Sequence, residues 1–212
     1  MDVVVAGGHG QVALRLERLL AATGHTARAL IRNPDHATDV AAAGAEPVVL
    51  DLEAADDLTG AVRGADAVVF AAGAGPGSGP ARKRTVDLGA AVKLIEAARA
   101  TGVDRYVMVS SMGADRPEEG TGAMGPYLRA KAEADAALVA AGLAHTVVRP
   151  GRLTDEPGTG LVTLAEHVPR GSIPRDDVAA VLLAALTGRA LVGRTVELVS
   201  GTTPVAEAIA RA

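Results

Sequence analysis

Short apolar runs alternate with stretches of helical spacing along the whole chain. Val3–Ala6 is a β-branched run that ends at glycines, and Val12–Ala22 follows with Leu14, Leu16, Leu19 and Leu20 at helical spacing. The same alternation predicts strands at Thr26–Ile31, Pro47–Leu50, Ala67–Ala72, Arg105–Ser110, Ala144–Val148 and Thr195–Val199. Between them it predicts helices at Pro34–Ala43, Glu53–Val62, Lys83–Ala100, Pro126–Ala141, Asp176–Leu186 and Pro204–Ala210, with Gly102 and Gly142 as stops. Short, fully apolar strands separated by helices imply an α/β fold with a doubly wound, mainly parallel sheet covered on both faces. No shift in composition divides the chain, so residues 1–212 are expected to form a single domain. Two irregular stretches, Gly73–Ala81 and Gly151–Pro174, follow strand carboxyl ends, where open α/β sheets place ligands. The alternative for the first is a flexible connection. The second, about 151–174, reads as a small substrate-side region.

Composition narrows the chemistry. Hydrophobic residues make up 49% of the 212, yet there is no Trp, one Phe and two Tyr, so Val, Leu, Ile and Ala must build the core. Net charge is −4, and no basic block interleaves with aromatics, which argues against a nucleic-acid partner. No apolar run approaches the roughly 18 residues a membrane span needs. The start, MDVVVAGG, lacks a basic segment and runs straight into a strand, so no signal peptide is expected. Cys is absent, which excludes disulfides, thiol catalysis and thiolate metal sites and fits a reducing, cytoplasmic setting. The histidines, His9, His25, His36, His145 and His167, form no pair at metal-ligand spacing on a helix, so no metal site is expected. His167 falls in the irregular insert and reads as a surface residue near the substrate side. Ala-rich helix faces leave the oligomeric state open.

The first strand runs into Gly7-Gly8-His9-Gly10-Gln11-Val12-Ala13. Glycines at 7 and 10 permit a tight turn and close approach of backbone to a pyrophosphate. The helix that begins at Gln11 and Val12 adds free N–H groups and a positive dipole end. Ala13 at the third position still allows close packing of helix on strand. A strand–turn–helix context is what such a turn requires; the alternative is an ordinary connection. His9 either touches a cofactor or merely tolerates the turn. The second strand ends in Ile31-Arg32-Asn33-Pro34, with no acid at its tip for a ribose 2′-hydroxyl. A guanidinium there suits a 2′-phosphate, so NADP(H) is favoured over NAD(H), unless Arg32 only caps a turn. Asp51, followed by Leu52, stands where an adenine amino group could be received, or where a helix from Glu53 could be capped. Ala71, Ala72 and Gly73 are small enough to let a cofactor lie over the sheet. Arg82-Lys83-Arg84 either steers that anion or forms a solvated helix start.

Tyr127 and Lys131 stand one helical turn apart in GPYLRAKAEAD, residues 125–135. A nearby ammonium stabilises phenolate, which suits the tyrosine to hand a proton to a carbonyl oxygen as hydride arrives at carbon. The lysine could also hold a nicotinamide ribose. The preceding strand supplies Ser110 and Ser111 as candidate hydroxyls to orient the carbonyl. Arg149, at a strand end, reads as the partner of a carboxylate beneath the site.

These motifs together resemble the short-chain dehydrogenase/reductase superfamily, in its atypical branch of small NAD(P)H-binding oxidoreductases that includes NmrA-like proteins and biliverdin and flavin reductases. The residues that carry the resemblance are GGHGQVA, Arg32 with Asn33-Pro34, SSMGAD at 110–115, YLRAK at 127–131, VVRPG at 147–151 and IPRDDVA at 173–179. It covers essentially the whole chain and implies a Rossmann-type fold. It also implies Ser111, Tyr127 and Lys131 as the catalytic set, Pro150 and Gly151 near the nicotinamide, and Arg175-Asp176-Asp177 opening a helix under the substrate side. The chain departs from the fuller pattern in having only one Asn, Asn33, so an Asn relay before the Ser strand is missing; Asp87 lies in that helix. The short C-terminal region argues against nucleotide-sugar epimerases and dehydratases. The expected function is NADPH-dependent reduction of a small carbonyl, quinone or flavin-like acceptor. The alternative is a non-catalytic, NADP(H)-binding, redox-sensing regulator of NmrA-like type; the complete Ser/Tyr/Lys set favours the enzyme.

Overall fold

The computed structural model describes residues 1–75 and 77–212. Its strands are β1 (Asp2–Ala6), β2 (Thr26–Ile31), β3 (Glu46–Val49), β4 (Ala67–Phe70), β5 (Arg105–Val109), β6 (Ala144–Pro150), β7 (Arg152–Thr154), β8 (Leu161–Ala165), β9 (Ser172–Pro174), β10 (Arg194–Ser200) and β11 (Thr203–Pro204). Nine of them form one sheet in the order β11-β8-β10-β6-β5-β4-β1-β2-β3, while β7 and β9 pair separately. The seven strands from β3 to β10 in that order run parallel, and β8, beyond β10, is antiparallel to both β10 and β11. β1 lies between β2 and β4, so the chain's winding reverses there. That reversal opens a crevice above the carboxyl ends of β1 and β4, the usual ligand position in open α/β sheets. The expected Rossmann-type, doubly wound fold is therefore what the chain adopts.

The helices are α1 (Gln11–Ala22), α2 (Ala37–Ala42), α3 (Thr59–Val62), α4 (Pro80–Arg82), α5 (Ala91–Thr101), α6 (Met124–Ala140), α7 (Arg175–Thr187) and α8 (Val205–Arg211). They cover both faces, which is why the central strands carry no polar alternation: Val3, Val4 and Val5 are all fully buried. On one face Leu16, Leu20, Val181 and Leu182 from α1 and α7 pack with Val3 and Val5. On the other, Leu94 and Leu138 from α5 and α6 pack with Phe70, Tyr106 and Met108. Each buried Leu contributes about 1.5–3 kcal/mol, so aliphatic layers hold the sheet with little aromatic mass. Among the described residues no helix is long and apolar enough to cross a membrane.

Three expectations are corrected. The helix read at Glu53–Val62 exists only as α3. Asp51 Oδ1 accepts the Glu53 N–H at 2.9 Å, and Asp57 Oδ1 accepts that of Thr59 at 2.8 Å. Lys93 Nζ takes the carbonyls of Glu53 and Ala55 at 3.0 and 2.7 Å, so side chains satisfy the backbone that a helix would have used. The long helix begins at Pro80 and widens to a π-helix over Lys83–Ala90 before α5. The insert at 151–174 is more ordered than its pattern suggests. β8 alternates buried Val162 and Leu164 with outward Leu161 and Thr163, and the apolar Leu161 hides that alternation in the sequence. Its entry turn is fixed by Asp177, whose carboxylate accepts the Gly160 N–H at 2.8 Å and that of Thr159 at 3.1 Å.

Candidate functional site

The glycine turn after β1 fits its place by contact. Gly7 has φ +79°, and a Cβ there would lie 2.6 Å from Ala72 Cα. A Cβ on Gly8 would lie 2.5 Å from Ala29 Cβ, so Gly8 is the residue that lets the turn press on β2. Gly10 closes the turn with its N–H on Gly7 O at 2.8 Å and opens α1 without any side-chain cap. No acid occupies the first turn of α1. The first N–H groups of a 12-residue helix are thereby left for an anion.

A cavity of about 310 Å³ opens beside this turn. The turn gives it Gly7, His9 and Gly10; the end of β2 gives Arg32; the segment after β3 gives Asp51 and Leu52; the segment after β4 gives Ala71, Ala72 and Gly73. Among the described residues no carboxylate stands within ion-pair distance of Arg32, whereas the neighbouring Arg82 is paired with Glu53 at 3.3 Å. Asp51 both caps its own turn and lines the cavity. His9 stacks on His36 with ring centroids 3.6 Å apart, and its Nε2 lies 2.8 Å from Asp39. The sequence reading missed His36, Leu50, Glu53, Ala74 and Val86 on this wall, and it left Arg82 open between steering the anion and a solvated helix start. Their signal is spatial: the segments after β2, β3 and β4 converge only once the strands are ordered.

Four expected cofactor residues lie off this wall. Gln11 holds Arg15 through its Oε1 at 2.9 Å, and Val12 is buried in the core, so their backbone N–H groups are what they can offer a ligand. Pro150 O accepts the Met112 N–H at 3.0 Å at the end of β6. Gly151 is glycine for packing: a Cβ there would lie 2.4 Å from Gly171 O. The backbone cradle, the uncapped helix end and the unpaired guanidinium nonetheless fit a dinucleotide.

Of the residues expected to handle protons, Lys131 is reached from that cavity through Asp87. Lys131 is almost completely buried and donates to Val109 O at 3.1 Å, at the end of the strand that leads into Ser111. Its Nζ lies 3.7 Å from Oδ1 of Asp87, which is itself fully buried. The Nζ lies 6.0 Å from the Tyr127 ring centroid, and Lys83 Nζ approaches the same ring to 5.1 Å. Asp87 stands in the π-helical segment and accepts the Ala74 N–H at 3.2 Å through Oδ2. Gly73 and Ala74 line the cavity, so Asp87 joins the cavity wall to the Lys131 ammonium. The half-buried Ser111 hydroxyl makes only a long contact to Met112 O, 3.3 Å. α6 starts at Met124, placing Pro126 third in the helix, where it needs no N–H partner.

Ser110 has a different task. Its hydroxyl donates to Asp135 Oδ2 at 2.8 Å, and Arg149 reaches the same oxygen through Nε and Nη2, both at 2.9 Å. This is the carboxylate partner expected for Arg149. Burial pushes the Asp135 carboxyl above its ordinary value, and Arg149 and Ser110 pull it back. The network ties β5, β6 and α6 together beneath the site.

Known proteins share this architecture. A family model described as NAD(P)H-binding matches residues 7–189. The chain is 41% identical over 211 residues to the uncharacterized sugar epimerase YhfK of Bacillus subtilis (strain 168), with 99% of each chain covered. A solved structure from Bacillus halodurans, provisionally described as an NAD-dependent epimerase/dehydratase, superposes with a TM-score of 0.95 at 39% identity over 100% of both chains. The oxidoreductase ylbE from Lactococcus lactis superposes with a TM-score of 0.87 at 27% identity, covering 99% of this chain and 95% of its own.

Proposed function

The chain belongs to the NAD(P)H-binding family, and from that premise we propose that it is an NADPH-dependent oxidoreductase that reduces a small carbonyl, quinone or flavin-like acceptor. The observation that carries this reading is the series of contacts from the cavity wall at Gly73 and Ala74, through Asp87, to Lys131 beside Tyr127. The glycine turn and the α1 N-terminus would hold the pyrophosphate, Asp51 the adenine side, and Arg32 the 2′-phosphate, which favours NADPH over NADH. When bound, the cofactor supplies a hydride. Tyr127 delivers the proton to the acceptor oxygen, and Ser111 orients that oxygen. Lys131 spends one donor on Val109 O and keeps others for the ribose and the Tyr127 side, while Asp87 balances its charge away from water.

Two relatives carry epimerase names. A nucleotide-sugar reaction would need a large second wall, and the 151–174 insert supplies only three short strands. The experiment is titration of the purified protein with NADPH and NADH by nicotinamide fluorescence, followed by turnover assays with quinones, flavins and aldehydes. Tight NADPH binding, weaker NADH binding and acceptor-dependent NADPH oxidation are expected. Failure to bind either nucleotide overturns the cofactor reading. Interconversion of nucleotide sugars without net cofactor oxidation overturns the reductase reading. Binding without turnover of any acceptor moves the protein to the sensing class.

A further inference from the structure

Glu197, on β10, is 1% exposed, yet its Oε1 has no hydrogen-bond partner among the described residues. Oε2 accepts the Val168 N–H at 2.9 Å, which fixes the carboxylate and leaves Oε1 over. A buried carboxylate oxygen with no donor costs several kcal/mol in a protein interior. The obvious cation does not answer it. Arg149 is the register neighbour of Glu197 on β6, but it directs Nε and Nη2 to Asp135. The groups that do face Glu197 are Asp115, from the loop that follows Ser111, and His167, from the segment after β8. One ligand atom from each of the three lies within 4.8 Å of the others. Together with Arg116 and Val168 they line a cavity of about 420 Å³.

We propose that Asp115, His167 and Glu197 bind a divalent transition-metal ion. One imidazole nitrogen and two carboxylate oxygens suit zinc, manganese, iron(II) or cobalt(II) rather than a thiolate-seeking ion. Metal–ligand bonds of about 2.0–2.2 Å require the three atoms to draw slightly closer, and Asp115 and His167 stand at the surface, where they are able to turn. Arg116 Nε engages Asp115 Oδ2 at 3.1 Å, so Oδ1 is the oxygen to offer. The reading along single helices found no metal spacing because these ligands come from a loop, the segment after β8 and a strand, 52 and 30 positions apart in sequence. The site shares no wall residue with the cofactor cavity, and it does not rest on the cofactor reading.

The test is calorimetric titration of the metal-stripped full chain with Zn²⁺ and, separately, Mn²⁺, without nucleotide. One ion per chain is expected, with affinity at least tenfold weaker in His167→Ala and in Glu197→Gln. Because Glu197 is buried and its variant could misfold, His167→Ala, at the surface, decides the matter alone. His25→Gln is the control, since the N-terminal amine lies 3.2 Å from His25 Nδ1 and is a rival chelate. Affinity retained in His167→Ala, affinity lost instead in His25→Gln, or no binding of either ion would overturn the proposal.

Discussion

Lys131 and Asp87 form an ion pair at 3.7 Å with both side chains withdrawn from water, 4% and 0% exposed. The distance is an ion-pair distance but too long for a hydrogen bond, so Asp87 Oδ1 has no hydrogen-bond partner among the described residues. Removing either charge leaves the other buried alone, which costs about 3–5 kcal/mol. Lys131→Met and Asp87→Asn should each destabilise the fold on that scale. The double variant should cost less than the sum. Urea denaturation of the four proteins gives the coupling, and simple additivity would show that the two charges do not support one another.

Tyr127→Phe removes the proposed proton donor while keeping the ring against Lys83 and Lys131. Turnover should fall by roughly two to four orders of magnitude, with NADPH affinity within a factor of about 2, because no part of the cofactor cavity is altered. Steady-state assays and fluorescence titration read the two effects separately. An unchanged rate would remove Tyr127 from the chemistry and leave the cofactor reading intact.

The adjacent serines should separate cleanly. Ser110→Ala deprives the buried Asp135 of a donor and should cost about 1–3 kcal/mol of stability. Ser111→Ala breaks only a 3.3 Å contact, so its melting behaviour should match the parent while turnover drops. Thermal melts and rates on the two variants check this. A reversed pattern would make Ser110 the orienting hydroxyl.

Arg32→Gln tests the cofactor preference. A guanidinium–phosphate contact contributes about 1.5–3 kcal/mol, so NADPH affinity should weaken roughly 10- to 100-fold, with NADH affinity little changed. Equal weakening for both nucleotides would assign the 2′-phosphate to other residues on that wall, His36 or Asn33 among them.

What the sequence revealed depends on how local each signal was. The seven parallel strands of the sheet and α1 were legible because two-sided burial and helical stripes are written in neighbouring residues. The glycine turn was legible because its contacts follow from one strand–turn–helix unit. Gly8 was overlooked, since its partner, Ala29, lies on the next strand. The false helix at Glu53 failed for a similar reason: Lys93, 40 residues on, takes the Glu53 carbonyl. Asp87 was visible only as an acid in the right helix. Its meaning needed the π-helical widening and the approach of Lys131 from α6. β8 was hidden by one outward leucine.

Glu17 provides a stability test that is independent of ligands. It faces the interior from α1 with 0% exposure, and neither carboxylate oxygen has a partner among the described residues. Burial pushes its carboxyl from an ordinary 4.5 up to about 8, opposed only in part by Arg18. The folded chain thus keeps a proton that the unfolded chain releases. Below about pH 4.5 both states hold it and there is no penalty. As pH rises from there towards 8, the unfolded state binds fewer protons, so this residue's contribution erodes stability throughout the window and levels off above it. The full loss is on the order of 3–5 kcal/mol. Glu17→Gln cannot ionise. Its stability should stay close to that of the parent near pH 5 and exceed it by a few kcal/mol at pH 8, measured as the difference in urea denaturation between the two proteins. A difference that does not grow with pH would mean that Glu17 ionises as easily inside the fold as outside it.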